Sequence, residues 1–372
     1  MVVLVTFMLI DGVLIRGGTY AFVNSAFSIQ DGETRPPGAV QPIAPEKSGS
    51  PPDSLAPWDT LGFEGRNFVS RASTPPNSVP STAPPREGTD PRLRRSRHRR
   101  HRREAGGSGD RRTRTHRRVR PQGARDHPPT TGTGWVNPTA AQAMELVHNG
   151  DLAMVAWQYS FLPSWISFLA DRDKAAEAGR ILVDRVHERW LARPPDRRPQ
   201  LYVYGESLGT QSGEGAFDSL AEIRATVNGV LWVGPPNANR LWRQLVDRRD
   251  PGTPEVQPVY ADGMVVRFTD DVSDIGTPPT PWLNPRVLYI QHASDPVVWW
   301  SPDLLFSRPD WLSEAPGPDR LPQMRWFPFV TFWQVSADLT NAAGVPDGHG
   351  HNYGTEVLDG WIAVTQPEAG PP

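Results

Sequence analysis

The stretch that decides the fold runs from Gln200 to Gly209 and reads QLYVYGESLG. Its first half, Gln200 to Tyr204, is a short apolar run typical of a buried strand. The second half, Gly205 to Gly209, matches G-x-S-x-G, a pattern that places a serine on a tight turn between a strand and a helix. Glycine is required at both ends of the pattern because a Cβ there would collide with the neighbouring strand or helix. The alternative is a Gly-Ser turn without a chemical role.

Strand and helix patterns alternate along the chain on both sides of this turn. Three further apolar runs predict strands over 152–158 (LAMVAWQ), 229–233 (GVLWV) and 286–291 (RVLYIQ). Helices are predicted over 140–148, 172–191, 219–224, 239–248, 329–342 and 355–364. This alternation predicts an α/β fold with a mostly parallel sheet flanked by helices.

The residues that would activate Ser207 are predicted from their places in the chain. A serine hydroxyl becomes a good nucleophile when a histidine takes its proton and a carboxylate orients that histidine. Asp295 follows the predicted strand 286–291, where the chain leaves the carboxyl edge of the sheet. His349 and His351 lie in a glycine-rich loop just before a helix. The order Ser, Asp, His predicts a catalytic site, with His351 favoured over His349 because it is closer to the helix.

Each of these partners also has a structural alternative. Asp295 precedes a proline, so it can simply begin a turn. The two histidines can belong to a surface loop or a metal clip, although no third ligand is nearby and a zinc site is not expected. No metal and no cofactor is therefore predicted. His292 and Asp347 are interpreted as bystanders.

Backbone N–H groups would have to stabilise the oxyanion of the reaction. One is expected from Leu208, the residue after the serine. The other is expected from the loop Thr131-Gly132-Thr133-Gly134-Trp135, with Gly132 and Gly134 as candidates and a plain glycine turn as the alternative. Tryptophans are abundant between the Asp and His loops, and they predict either core packing or the wall of an apolar acyl pocket. They are Trp299, Trp300, Trp311, Trp326 and Trp333.

The first third of the chain has a different composition. Residues 1–30 contain the apolar run Val2 to Ile15, which is too short to cross a bilayer alone. We interpret it as a residual transmembrane or membrane-proximal segment, with a buried helix or strand as the alternative. Residues 31–75 are rich in Pro, Ser and Gly and predict a linker in which only 58–70 looks ordered. The absence of cysteine from all 372 residues excludes disulfide scaffolds and thiol catalysis.

Residues 76–128 form an arginine-rich segment. Sixteen arginines stand between Arg86 and Arg125 against four acidic residues, and nothing in the segment looks able to form a buried strand. An arginine-rich arm can bind nucleic acid or anionic lipid through its positive charge. No aromatic residue lies between the arginines to stack on bases, so a nucleic-acid partner is not expected. The catalytic domain is predicted over 129–372.

Longer runs resemble a bacterial family of membrane-anchored α/β-hydrolases, most of whose members are uncharacterised. The resemblance extends nearly continuously from Thr130 to the C-terminus, and GTYAFVNSAFSIQDGET and PWDTLGFEGRNFVS resemble the part that joins the family's membrane helices to its catalytic domain. The runs that carry it are LYVYGESLGTQSGEGAF, LWVGPPNANRLWRQL, VLYIQHASDPVVWWSPDLLFSRPDWL and GHGHNYGTEV. The resemblance implies an α/β-hydrolase fold and puts Ser207, Asp295 and His349 or His351 at the triad positions.

The resemblance breaks at residues 76–128, where the family has the opening strands of its sheet. The chain uses arginine almost to the exclusion of lysine, which indicates GC-rich coding DNA, and a shifted frame in such DNA yields Arg, Pro, Gly and Ala. The hypothesis is that this segment is read out of frame, with the first strands of the sheet missing or disordered.

Together these patterns predict a serine hydrolase that acts through an acyl-enzyme on an ester or related acyl substrate. Its expected partners are a small or lipid-like ester and a membrane, which implies association with the bacterial cell membrane. The alternatives are an acyltransferase on the same fold, and a non-catalytic protein that binds anionic ligands or is defective.

Overall fold

In the part of the chain that the structure describes, six parallel strands form a central sheet. The computed structural model describes residues 36–43, 47–50, 54, 56–71, 124–127, 133–159 and 172–365. The strands are β1 (Ala124–His127), β2 (Leu152–Met154), β3 (Leu201–Glu206), β4 (Gly229–Val233), β5 (Val266–Thr269) and β6 (Arg286–Ile290). Their order in the sheet is β2-β1-β3-β4-β6-β5, and every neighbouring pair is parallel.

Helices connect these strands and cover the sheet. They are α1 (Phe63–Arg71), α2 (Pro138–Val147), α3 (Arg172–Leu191), α4 (Leu208–Gly215), α5 (Leu220–Thr226), α6 (Arg240–Asp247), α7 (Pro296–Trp299), α8 (Val330–Asp338) and α9 (Glu356–Thr365). The predicted helix 172–191 and the predicted strand 229–233 are confirmed with the same bounds. The predicted strand 152–158 is shorter, since only its first three residues pair with a neighbour.

Both faces of the sheet are buried at its centre, which explains why a strand such as β4 is apolar at every position. In β4, Val230 and Trp232 pack into one core with α3 and α6, while Leu231 and Val233 pack into a second core with α2 and α9. Trp361 of α9 is fully buried in the second core. Truncating an aromatic side chain in such a place costs about 3–5 kcal/mol.

A short strand is present at the end of the segment 76–128, in which the sequence predicts no buried strand. Residues 124–127 form β1 between β2 and β3, in the interior of the sheet, with Arg125 in register with Leu201. Strand pairing uses backbone N–H and C=O groups, so a polar sequence such as ARDH can still provide the hydrogen bonds. The remainder of the segment, 76–123, lies outside the described residues.

The N-terminal third contributes a small ordered unit within the predicted linker. A 3₁₀ turn at Trp58–Thr60 precedes α1, and Ala56, Trp58, Leu61 and Val69 form a separate apolar cluster. The apolar run Val2 to Ile15 lies outside the described residues. Within the part of the chain that the structure describes, no helix combines the length and apolar character that a bilayer crossing requires.

Candidate active site

Ser207 occupies a strained turn at the carboxyl end of β3. It directly precedes α4 and has φ 55° and ψ −127°, a conformation that non-glycine residues rarely adopt. Its backbone N–H donates to the carbonyl of Val233 in the neighbouring strand at 2.9 Å. A Cβ on Gly205 would lie 2.6 Å from the carbonyl oxygen of Gly209, so the required glycine at the first motif position is confirmed. The turn raises Ser207 above the sheet edge, where its side chain is partly accessible.

Asp295 is completely buried at the same edge of the sheet. It follows β6 and caps α7, where its Oδ1 accepts a hydrogen bond from the backbone N–H of Val297 at 2.8 Å. Its Oδ2 accepts from His351 Nδ1 at 2.7 Å and from the Tyr353 hydroxyl at 2.6 Å. Three donors therefore compensate the burial of this carboxylate.

The structure separates the two candidate histidines. The side chain of His351 is 12% exposed and bonds Asp295, whereas that of His349 is 56% exposed and lies 3.7 Å from Asp319. The imidazole of His351 packs on the backbone of Gly234, the residue that follows β4. Because β4 is the direct neighbour of β3, this contact places the imidazole beside the Ser207 turn.

The charge state of His351 is controlled by its surroundings. Burial by itself lowers the pKa of an imidazole, but here the carboxylate of Asp295 and then that of Glu206 outweigh it, so the pKa of His351 is raised. Glu206 is buried next to Ser207, and this burial raises the pKa of Glu206. Asp295, and to a lesser extent Glu206, thus favour the protonated form of His351.

His292, interpreted from the sequence as a bystander, fixes the histidine loop. It is 1% exposed, and its Nδ1 and Nε2 lie 2.8 Å from the carbonyl of Gly350 and from a carboxylate oxygen of Glu356. Burial lowers its pKa, but the hydrogen bond and charge of Glu356, the carbonyl of Gly350 and the charge of Asp295 together outweigh this, and the pKa of His292 is raised. Its ring stacks on Tyr353 at 4.1 Å. His292 therefore contacts the residue before His351 and stacks on Tyr353, which lies against the His351 ring. The only sign of this in the sequence is that His292 is close to Asp295 and Tyr353 is close to His351.

The predicted oxyanion-hole residues are only partly within the described residues. Leu208 begins α4, where backbone N–H groups at the helix N-terminus lack a partner within the helix. Gly132 lies outside the described residues. Gly134 has φ 83°, and a Cβ on it would lie 3.1 Å from Gln158. Three residues further along, the side chain of Asn137 donates to Glu206 at 3.1 Å, so this loop lies beside the Ser207 turn.

The tryptophans between the Asp and His loops serve mainly as core. Trp299, Trp300 and Trp311 are buried, while Trp326 and Trp333 pack half-buried against the same cluster. Trp299 and Trp311 also line a cleft of about 260 Å³ together with Trp242 of α6. Among the described residues, no three His, Cys, Asp or Glu side chains are grouped so as to hold a metal ion.

A parallel sheet covered by helices on both faces, with a strained serine between its central strand and the following helix, defines the α/β-hydrolase class. Comparison with family models agrees: a model described as an alpha/beta-hydrolase family matches residues 128–371, and one described as the N-terminus of that family matches 1–73. The chain therefore belongs to this α/β-hydrolase family. No curated protein and no solved structure is significantly similar to it.

Proposed function

We propose that the protein is a serine hydrolase that acts through an acyl-enzyme on an ester or related acyl substrate. Ser207 is the nucleophile, His351 the general base and Asp295 the residue that orients the base. The observation that carries the proposal is the 2.7 Å hydrogen bond from His351 to the buried Asp295, next to the strained Ser207 turn. The membership of an α/β-hydrolase family supports it.

The hydrogen bonds of His351 assign a task to each ring nitrogen. Nδ1 carries the proton that is donated to Asp295, which leaves Nε2 as the acceptor for the proton of Ser207 Oγ. As that proton moves, Oγ forms a bond to the substrate carbonyl carbon, and the oxyanion is stabilised by the N–H of Leu208. Collapse breaks the bond to the leaving alkoxide, which takes the proton from Nε2. In the second half of the reaction, Nε2 takes a proton from a water molecule whose oxygen forms a bond to the acyl carbon. The bond between this carbon and Ser207 Oγ then breaks, Oγ takes the proton from Nε2, and the carboxylic acid leaves.

Labelling with a fluorophosphonate tests this assignment, because Ser207 Oγ would form a bond to phosphorus while fluoride leaves. We expect the full chain to be labelled at one site, Ser207→Ala to be unlabelled, and His351→Ala to be labelled at least about 10³-fold more slowly. His349→Ala is the matched control and should be labelled at the wild-type rate. Equal labelling of wild type and Ser207→Ala would overturn the proposal.

A further inference from the structure

Glu206 places a second carboxyl group directly beside the Ser207 turn. It is the last residue of β3 and is 8% exposed. Its side chain lies on the face of the sheet that carries Tyr202 and Tyr204, and the Tyr204 hydroxyl donates to Glu206 Oε2. The proton transfers proposed above do not use this carboxyl group. A buried ionisable side chain is costly to retain unless it is paired, so its partners indicate what it does.

The second partner of Glu206 is Asn137, which makes two hydrogen bonds in different directions. Its Nδ2 donates to Glu206 Oε1 at 3.1 Å, and its Oδ1 accepts from the backbone N–H of Thr139 at 2.9 Å, which caps α2. One amide group therefore links the end of β3 to the start of α2. These two points are 69 residues apart in the sequence.

The link fixes the loop that ends at Asn137. This loop, residues 133–137, comes after β1, and β1 is the direct neighbour of β3 in the sheet. Near its other end, a Cβ on Gly134 would lie 3.1 Å from Gln158, closer than an ordinary van der Waals contact. The loop is thus held at Gly134 by packing and at Asn137 by a hydrogen bond to the residue before Ser207. A loop held beside the Ser207 turn can supply the second backbone donor that an oxyanion hole needs.

We propose that Glu206 is a positioning residue that, through Asn137, holds the 133–137 loop so that a backbone N–H of this loop faces the oxyanion formed at Ser207. This inference rests on the proposed serine-hydrolase function and adds a residue pair to it. Glu206 does not touch the reacting atoms. Besides the smaller influence of its charge on the pKa of His351, the effect proposed here is geometric, and a displacement of about 1 Å in such a donor can cost about 10²-fold in rate.

Four variants of the full chain test the link. Asn137→Ser keeps an oxygen that can cap α2 but lacks the Nδ2 amide that reaches Glu206, whereas Glu206→Leu removes the acceptor. Glu206→Gln is the conservative variant, because its side-chain oxygen can still accept from Asn137. The fourth is the double variant Asn137→Ser/Glu206→Leu. The measurements are the rate constant for fluorophosphonate labelling, kcat and KM on p-nitrophenyl acetate, and thermal unfolding.

We expect Asn137→Ser and Glu206→Leu to lower the labelling rate and kcat about 10- to 100-fold with little change in KM. The conservative Glu206→Gln should recover most of the rate. The double variant should be no slower than the slower single variant, because both changes break one interaction. A purely structural role would lower the unfolding temperature and leave the rate constants of the folded protein unchanged.

The outcomes separate this inference from the proposed function. If Ser207 is labelled specifically while Asn137→Ser reacts at the wild-type rate, the positioning role of Glu206 is refuted and the serine-hydrolase proposal stands. If Ser207→Ala is labelled like the wild type, the proposed function itself fails. Asn137→Ser decides the question even where Glu206→Leu does not fold, because it keeps the cap of α2.

Discussion

Gly234 is the position at which a single methyl group would displace the proposed base. It follows β4 with φ 56°, and a Cβ built on it would lie 2.5 Å from His351 Cε1, 2.8 Å from His351 Nδ1 and 2.9 Å from Tyr353 Cε2. Ordinary van der Waals contacts of a Cβ begin at 3.4 Å. In Gly234→Ala the imidazole must therefore move away by the difference, 3.4 − 2.5 = 0.9 Å.

This displacement sets the size of the expected effect. A shift of about 1 Å in a reacting group costs about 10²-fold in rate, because the proton transfer from Ser207 requires near-contact geometry. The same substitution places a side chain at positive φ, which costs roughly 1–2 kcal/mol of folding free energy. We expect Gly234→Ala to be folded, slightly less stable, and about 10²-fold slower in labelling of Ser207 and in ester hydrolysis.

Gly252→Ala provides the matched control. Gly252 has φ 88°, and a Cβ on it would meet nothing within 4 Å, so this variant carries the backbone penalty without the contact to His351. Both variants would be compared by thermal unfolding and by the labelling rate constant. The reasoning is refuted if Gly234→Ala reacts as fast as Gly252→Ala, because His351 would then not need the position that the structure assigns to it.

Two further predictions concern Asp295 and the pH dependence. Asp295→Asn can keep the cap of α7 through its remaining oxygen, but its amide then faces His351 Nδ1. We therefore expect a folded protein whose kcat is lower by up to about 10⁴-fold. A loss below tenfold in steady-state kinetics would contradict the role of this carboxylate. The base must be neutral to accept a proton, and the pKa of His351 is raised, so the rate should increase with pH through a midpoint above about 6.5. The pH–rate profile of Asp295→Asn should have its midpoint at lower pH, because the carboxylate that raises the pKa of His351 is absent. An unchanged pH–rate profile would show that a group other than His351 titrates.

Much of the fold follows from local sequence patterns. The strand 229–233 is apolar at every position because both of its faces are buried, and this pattern is recognisable without the structure. The Ser207 turn is equally local, since its glycines and the preceding strand lie within ten residues. The short strand β5 was not predicted, because its four residues VRFT include a buried arginine that breaks the apolar pattern.

The position of β1 and the choice between the histidines were decided by tertiary structure. The sequence ARDH has no strand signal of its own, and it pairs in the sheet because strands on both sides offer backbone partners. His349 and His351 lie in one glycine-rich loop, and the sequence favours His351 only because it is closer to the helix. The packing of the loop turns His351 toward Asp295 and leaves His349 exposed.

The sequence by itself determined four strands of the sheet, the strained turn and the order of the candidate site residues, because periodicity and glycine placement act over a few neighbours. Only the tertiary structure showed that Tyr353 shares the carboxylate of Asp295 with His351, and that Glu206 reaches Asn137 across 69 residues. These contacts join loops that are far apart in the sequence and close together at the edge of the sheet. No local sequence pattern predicts which of these distant residues come into contact.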